Sequence, residues 1–215
     1  MRKELIFYLH DKIIPIYNHF DKAHKADHVE KVIQNSLEIA KDYDLNQEMV
    51  YTIASFHDIG MQFGRKDHHL TGGQFLFDDE VLKRFFTEDQ RLVMKEAVED
   101  HRASNKVPPR SIYGKIIAEA DRDINAEIVL LRTVQFGFKH YPDITKEEHI
   151  QRAYNHVLEK YGPNGYLTLW LETKKNREGL NEIHDLLTRR IEMEKMIETL
   201  YENEKNQHHD DSNED

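Results

Sequence analysis

The sequence of 215 residues contains no cysteine. Disulfide frameworks, iron–sulfur clusters, thiolate-bound zinc and cysteine nucleophiles are therefore excluded. Any metal ion bound by this chain would have to be held by histidine, aspartate and glutamate side chains.

Long apolar segments and an excess of positive charge are also lacking. The longest uninterrupted apolar run is Leu5–Leu9, far too short to span a bilayer, and the N-terminus shows no signal-peptide pattern. The 30 Lys and Arg residues are outnumbered by 40 Asp and Glu residues, for a net charge of −10. This balance disfavours a surface for duplex nucleic acid. We expect a cytoplasmic protein that binds neither membranes nor duplex nucleic acid.

The apolar residues recur at helical spacing, and alternating strand patterns are absent. Asn46 resembles a helix N-cap, and Thr87 and Thr145 each begin a predicted capping box. These signals predict an all-α fold. We expect helices near residues 3–20, 27–42, 47–58, 69–76, 79–85, 88–101, 111–121, 123–135, 146–160 and 178–203.

No shift in composition marks a domain linker, so we predict a single domain over residues 1–202. Residues 203–215 contain no large apolar side chain and carry five acidic residues against one lysine, which predicts a disordered acidic tail. An apolar stripe along the predicted last helix would pack on the body of the protein or on a second subunit. A homodimer is therefore one open alternative.

Histidine is the residue in excess, with 14 copies, and four of them precede aspartate. The dipeptides at His10, His184 and His209 lie in polar surroundings that favour a solvated surface. His57-Asp58 differs because it is flanked by the apolar segments 53–56 and 59–61, where a carboxylate needs a partner. The partner could be the adjacent imidazole itself. Alternatively, both groups could bind a divalent cation at the helix end before Gly60.

Further histidines and one aspartate fall near the ends of other predicted helices, where side chains from several helices can converge. They are His28, His68, His69, His101 and Asp121. Imidazole and carboxylate without thiolate suit iron, manganese, zinc or nickel, and they differ from the oxygen-only cage typical of calcium. The set favours a transition-metal site.

The order of His28, His57-Asp58 and Asp121 resembles the HD-domain superfamily of metal-dependent phosphohydrolases. The resemblance includes the segment DHVEKV around His28 and the segment FHDIG around His57. The segments DKAH, HHLTGG, EDHRAS and PRSIYGKIIAEADR further resemble a group of stand-alone bacterial HD proteins. The resemblance covers about residues 20–125. It implies a helical bundle with a metal-binding core there and a C-terminal helical extension over about residues 126–202.

The resemblance also implies a ligand set. One ion would be bound by His28, His57, Asp58 and Asp121; a second would be bound by His69 and His101, with His68 as the competing choice to His69. We therefore expect one or two divalent ions of iron, manganese, zinc, nickel or cobalt, with magnesium as an alternative.

Such a site would support hydrolysis of a phosphate ester. A bound metal lowers the pKa of water to near neutrality, and a carboxylate with two oxygens can join two metal ions. Asp58 would be that carboxylate, and His57 and Asp58 are the predicted catalytic residues.

A phosphate substrate also needs cationic contacts near the metal. Arg65, Arg102, Lys115 and Arg122 are close to the predicted ligands in sequence. Arginine can bind phosphate through two parallel hydrogen bonds, although the same residues could complement helix dipoles or pair with surface acids. His24 is expected to line the substrate pocket rather than to bind metal.

The leading hypothesis is a hydrolase acting on a nucleotide or another small phosphorylated metabolite. Two alternatives come from other classes. One is a di-iron oxygenase, because some HD-fold proteins with the extra histidines oxidise carbon or phosphonate substrates. The other is a ligand-sensing module that retains the metal without turnover.

Overall fold

A computed structural model describes residues 1–20, 26–122 and 124–211, with side chains up to residue 207. All regular secondary structure in these ranges is helical, which confirms the predicted all-α fold with a helical extension. The helices are α1 (Lys3–Tyr8), α2 (Ala26–Ala40), α3 (Gln47–Phe56), α4 (His68–Asp78), α5 (Glu88–Asp100), α6 (Ile112–Asp121), α7 (Ala126–His140), α8 (Lys146–Tyr161), α9 (Lys174–Thr188) and α10 (Arg190–Asp211). Within the described ranges, no helix is both long enough and apolar enough for a membrane crossing.

Backbone contacts group the described residues into two compact units. The first unit comprises residues 1–122 together with the short segment 169–173. The second comprises the described parts of 123–168 and 174–215. The single domain over residues 1–202, with a core near 20–125 and an extension from 126, stays a prediction.

Helix α3 is the centre of the first unit. Every residue from Met49 to Phe56 is buried, because α2, α5 and α6 pack around the helix. The N-terminal segment adds Leu5, Leu9 and Tyr17 to the same core, each with no exposed surface. This packing fixes the C-terminal end of α3, where His57 and Asp58 follow.

The predicted start signals of three helices are confirmed. Asn46 Oδ1 accepts hydrogen bonds from the amides of Glu48 and Met49 at 3.0 and 3.4 Å, which caps α3. Thr87 and Thr145 form complete capping boxes at α5 and α8. Each cap satisfies amides that lack partners within the first helical turn.

Three predicted helices differ in the structure. The first is divided into α1, a π-helical turn over Leu9–Ile13 and a 3-10 turn over Ile14–His19, since Pro15 cannot donate to the preceding turn. Residues 79–85 form only a 3-10 turn, Leu82–Arg84, because the Asp79 carboxylate caps Leu82 and Thr87 soon begins α5. The last predicted helix is two helices that meet at Arg189. There Thr188 Oγ1 donates to the Asp185 carbonyl oxygen at 2.7 Å and competes with the backbone ladder.

Helices α7, α8 and α10 pack together in the second unit. Phe138 stacks on Tyr201 at a centroid distance of 4.8 Å, and Lys146 pairs with Glu198 and Glu202, each at 2.6 Å. Helix α10 continues to Asp211, beyond the point at Asn203 where the sequence predicts disorder. The Lys146 pairs, together with burial of Tyr201, support the helix up to this region.

The segment 169–173 is held against α6 in the first unit. The Leu171 amide and the Thr173 hydroxyl donate to the two carboxylate oxygens of Glu119 at 3.5 and 3.4 Å. Glu119 is almost fully buried, and Arg122 pairs with it at 3.4 Å. The last turn of α6 therefore contains a compensated buried charge.

Gly60 lets the 3-10 turn Ile59–Phe63 approach α4 closely. A Cβ atom at this position would lie 1.9 Å from the His68 carbonyl oxygen and 2.6 Å from the Gly72 amide nitrogen. Both are backbone atoms, so the overlap could be relieved only by moving α4 and the 3-10 turn apart. The close approach brings the start of α4 next to the His57-Asp58 turn.

We expect Gly60→Ala to lower the free energy of unfolding by about 3 kcal/mol, because overpacking against backbone forces a shift of α4. Urea unfolding of the metal-free protein measures this change. Gln62→Ala in the same turn removes one hydrogen bond, to the Ile59 carbonyl. It should cost no more than about 1 kcal/mol. Equal losses in the two variants would contradict the role assigned to Gly60.

Candidate metal centre

The His57-Asp58 pair lies where α3 ends. His57 still has helical backbone angles, whereas Asp58 leaves the helix at φ −108° and ψ 6°. The two residues are 0% and 5% exposed. As their apolar flanks indicate, an imidazole and a carboxylate are both buried at this helix end.

A first group of possible ligands surrounds one side of Asp58. His57 Nε2 lies 3.3 Å from Asp58 Oδ2 and 3.3 Å from His28 Nε2. Asp121 Oδ1 lies 3.2 Å from His28 Nε2 and 3.8 Å from His57 Nε2. The side chains of His28, His57 and Asp58 offer ligand atoms within 4.8 Å of one another, which is close enough for one metal ion.

A second group lies on the other oxygen of the same carboxylate. Asp58 Oδ1 is 3.1 Å from His68 Nε2 and 3.3 Å from His101 Nε2. These three side chains also meet the distance requirement for one ion. Asp58 therefore directs one oxygen to each group, as a carboxylate shared by two ions would.

Backbone carbonyl groups orient three of the imidazoles in the same way. The Nδ1–H of His57 donates to the Ala54 oxygen at 2.8 Å, and that of His101 donates to the Val98 oxygen at 2.6 Å. His68 Nδ1–H donates to the Arg65 oxygen at 2.7 Å. A carbonyl oxygen can only accept, so Nδ1 carries the proton and Nε2 is available as a ligand atom.

The electrostatics of the cluster favour a cation. Burial acts to lower the pKa of His57, but the Asp58 and Asp121 carboxylates outweigh it and raise the pKa to about 9. Burial acts to raise the pKa of Asp58, yet His57 and hydrogen bonds from His101 and His68 hold it well below its usual range. Burial likewise opposes ionisation of Asp121, and His28 and His57 hold its pKa low. A divalent ion would compete with protons for the histidine nitrogens that face these carboxylates.

The residues present fit a divalent transition metal. The donors are imidazole nitrogen and carboxylate oxygen, without any thiolate, which suits iron, manganese, zinc, nickel or cobalt. The Nδ1 hydrogen bonds fix the tautomer that such ions require. Magnesium, which prefers oxygen ligands, fits this donor set less well.

Of the two adjacent histidines, the geometry favours His68, the competing choice, over His69 as a ligand. His68 is the histidine that reaches Asp58, whereas His69 is rotated away by about 100° along α4. His69 Nδ1 is buried without a hydrogen-bond partner, and burial and the nearby charge of Arg102 lower its pKa to about 4. His69 is therefore a neutral side chain beside Arg102.

Arg122 and Arg102, both predicted to contact phosphate, differ in burial and in hydrogen-bond partners. Arg122 is 7% exposed, and its Nη1 donates to the Ala118 oxygen at 2.6 Å and pairs with Glu119. Buried Glu119 therefore compensates the charge of Arg122, and the contact of Arg122 with substrate stays a prediction. Arg102 is half-buried and donates from Nη1 to the Lys66 oxygen at 3.2 Å.

The remaining residues predicted to contact substrate are Arg65, Lys115 and His24. Arg65 is exposed, and its carbonyl group orients His68. Lys115 is half-buried on α6, and its contact with substrate stays a prediction. His24 lies outside the described residues.

Tyr17 is a residue of the centre that the sequence analysis missed. Its hydroxyl group donates to the Ser55 oxygen at 3.0 Å and accepts from the Asp58 amide at 3.2 Å. Its ring stacks on His57 with a centroid distance of 6.3 Å. The only sequence signal at Tyr17 is its helical spacing from Leu9 and Ile13, which predicts a core position.

Residues 26–126 match the family model described as the HD domain. The chain is also similar to a predicted HD superfamily hydrolase from an uncultured Thermotogales bacterium, known from its crystal structure. The two are 21% identical, with a TM-score of 0.46, and the similarity covers 73% of this chain and 87% of that one. No curated protein matches the chain.

We expect Asp58→Ala to remove the bound metal, because both ligand groups use this carboxylate. Protein purified without chelator should contain about one or two metal ions per chain, and the variant should contain almost none by mass spectrometry of the metals. Asp11→Ala is a matched control, since Asp11 also follows a histidine but pairs with Lys12 at the surface. Full metal content in Asp58→Ala would rule out this centre.

The adjacent histidines allow a second test. His68→Ala should roughly halve the metal content of a protein that binds two ions, because one group loses a ligand while the group at His28 is intact. His69→Ala should leave the content unchanged. Metal analysis of the two variants side by side measures the difference, and loss of metal only in His69→Ala would reverse the assignment.

Proposed function

We propose that this chain is a metal-dependent hydrolase that cleaves a phosphate ester, because residues 26–126 match the HD-domain model. The substrate class would be a nucleotide or another small phosphorylated metabolite. The observation that carries the proposal is the position of Asp58, whose two carboxylate oxygens each face a separate group of histidines.

In this proposal the residues of the centre have different roles in the reaction. His28, His57 and Asp121 would hold one ion with Asp58, and His68 and His101 would hold the other. The bound ions would supply positive charge for the phosphoryl oxygens and an activated water. Asp58 and His57 would fix the reacting groups in place, because both are buried. The His57 ring donates a hydrogen bond to the Ala54 carbonyl oxygen, and the Asp58 amide donates one to the Tyr17 hydroxyl group.

Cationic side chains near the second group support a phosphate substrate. Arg102 follows His101 in sequence and bonds to the backbone of Lys66, while Lys66 and Arg65 immediately precede α4. His69 lies near Arg102 and is neutral at physiological pH, so its N–H group can donate a hydrogen bond to a phosphate oxygen. Arg102 is therefore the first cation to test as a contact for a phosphate group.

We expect release of phosphate, or of a phosphate monoester, from at least one member of a panel of nucleotides and sugar phosphates in the presence of Mn, Fe, Co, Ni, Zn or Mg. Asp58→Ala should abolish turnover. Arg102→Ala should lower kcat/KM roughly 10- to 100-fold, the worth of one hydrogen bond to a charged group, while the metal content stays constant. Initial rates with a malachite-green or chromatographic readout measure both effects.

Arg122→Ala is the contrasting variant. It should destabilise the protein by about 3 kcal/mol or more, because Glu119 would be left as a buried charge without its arginine. In the folded fraction, kcat/KM should change far less than in Arg102→Ala.

Activity that persists in Asp58→Ala would contradict the proposal. Oxygen consumption by an iron-loaded sample, with no phosphatase activity under any metal, would replace it by the oxygenase alternative.

A further inference from the structure

We propose that Tyr17 is a positioning residue of the metal centre, through which the N-terminal segment 1–20 holds the His57-Asp58 turn in its ligand geometry. The inference rests on the proposed function, since it concerns the same site. Tyr17 precedes the segment 26–126 that matches the HD domain, so its role concerns a part of the chain outside that match.

One hydroxyl group connects the backbone on both sides of His57. The Tyr17 hydroxyl donates to the carbonyl oxygen of Ser55 and accepts from the amide of Asp58. These two groups lie where α3 ends and the chain leaves the helical path. A rotation of the turn that moved the Asp58 carboxylate would break at least one of these bonds in a fully buried location.

The ring of Tyr17 restrains the imidazole of His57 as well. The two rings are stacked with an interplanar angle of 26°, and Phe20 contacts the tyrosine ring at a centroid distance of 5.1 Å. Tyr17 itself cannot easily move, because Leu9 and Ile13 of the same segment are packed in the core. The hydroxyl group is thus presented to the turn by a rigid support.

The chain offers a closely matched control. The hydroxyl group of Tyr51, on α3, lies 2.7 Å from His10 Nε2 in the N-terminal segment. Tyr17→Phe and Tyr51→Phe each delete one hydroxyl group that joins the N-terminal segment to α3. Of these two hydroxyl groups, only that of Tyr17 bonds to the Asp58 backbone. We therefore expect only Tyr17→Phe to disturb the positions of the metal ligands.

The experiment is a titration of metal-free protein with Co²⁺, followed by visible absorption spectroscopy. We expect Tyr17→Phe to weaken Co²⁺ binding roughly 10- to 100-fold, the usual effect of losing a group that orients metal ligands. Its cobalt spectrum should also change in position or intensity. Tyr51→Phe should bind within about twofold of the original protein and keep its spectrum. Thermal unfolding of the metal-free forms records how much stability each variant loses.

A second replacement covers the case in which Tyr17→Phe does not fold. Introducing 4-aminophenylalanine at position 17 by amber suppression keeps the ring and a donor for the Ser55 oxygen, but it provides a much weaker acceptor for the Asp58 amide. Weaker Co²⁺ binding in this protein would support the proposal as well.

Two results would overturn the inference. If Tyr17→Phe, or the 4-aminophenylalanine protein in its place, shows the affinity and spectrum of Tyr51→Phe, then Tyr17 only stabilises the fold and the metal-centre proposal is unaffected. If the original protein binds no Co²⁺, the proposed function fails together with the inference. The titration of the unsubstituted protein with Co²⁺ is sufficient to recognise that second result.

Discussion

The buried carboxylate of Asp58 is the constraint on which the site depends. At 5% exposure it has lost most of its hydration, and a buried charge of this kind needs compensation from several directions. The compensating groups are the Nε2 atoms of His57, His68 and His101, at 3.1 to 3.3 Å. They come from the end of α3, the start of α4 and the end of α5. Three elements must therefore meet at one point, and the close approach at Gly60 is one condition for that meeting.

The orientation of the imidazoles is encoded locally, whereas their convergence is encoded by packing. In His57, His68 and His101 the Nδ1 partner is the carbonyl group three residues earlier. This contact lies within a single turn of chain, so the direction of each ring does not depend on residues distant in sequence. The buried faces of α2, α3, α5 and α6 then bring the directed rings together.

This division explains what the sequence could and could not predict. His28, His57, Asp58, His101 and Asp121 were predicted because helix ends and the order of an HD-type motif are visible in a one-dimensional pattern. The sequence could not decide between His68 and His69, because neighbouring residues on a helix differ by about 100° in direction. Their spacing from other histidines does not give the rotation of α4.

Two further features of the site depend on buried polar contacts. Arg122 follows a predicted ligand, so its charge suggested a substrate contact, but Glu119 three residues earlier is buried and pairs with it. Tyr17 has the spacing of a core residue and is one, and only the structure shows its hydroxyl group on the Asp58 amide. In both cases the deciding partner is a buried polar group that a hydrophobic pattern does not reveal.

The last turn of α6 carries two carboxylates, those of Asp121 and Glu119, whose positions depend on each other. Asp121 contacts His28 from the last turn of this helix, while Glu119 in the same turn accepts hydrogen bonds from Leu171 and Thr173. Since a buried carboxylate is costly without its donors, the segment 169–173 must stay in place for Glu119 to remain where it is. The last turn of α6 is therefore held by the contacts of Asp121 with His28 and by the hydrogen bonds of Glu119 with the segment 169–173. The position of Asp121 thus depends in part on charge compensation at Glu119, two residues earlier on the same helix.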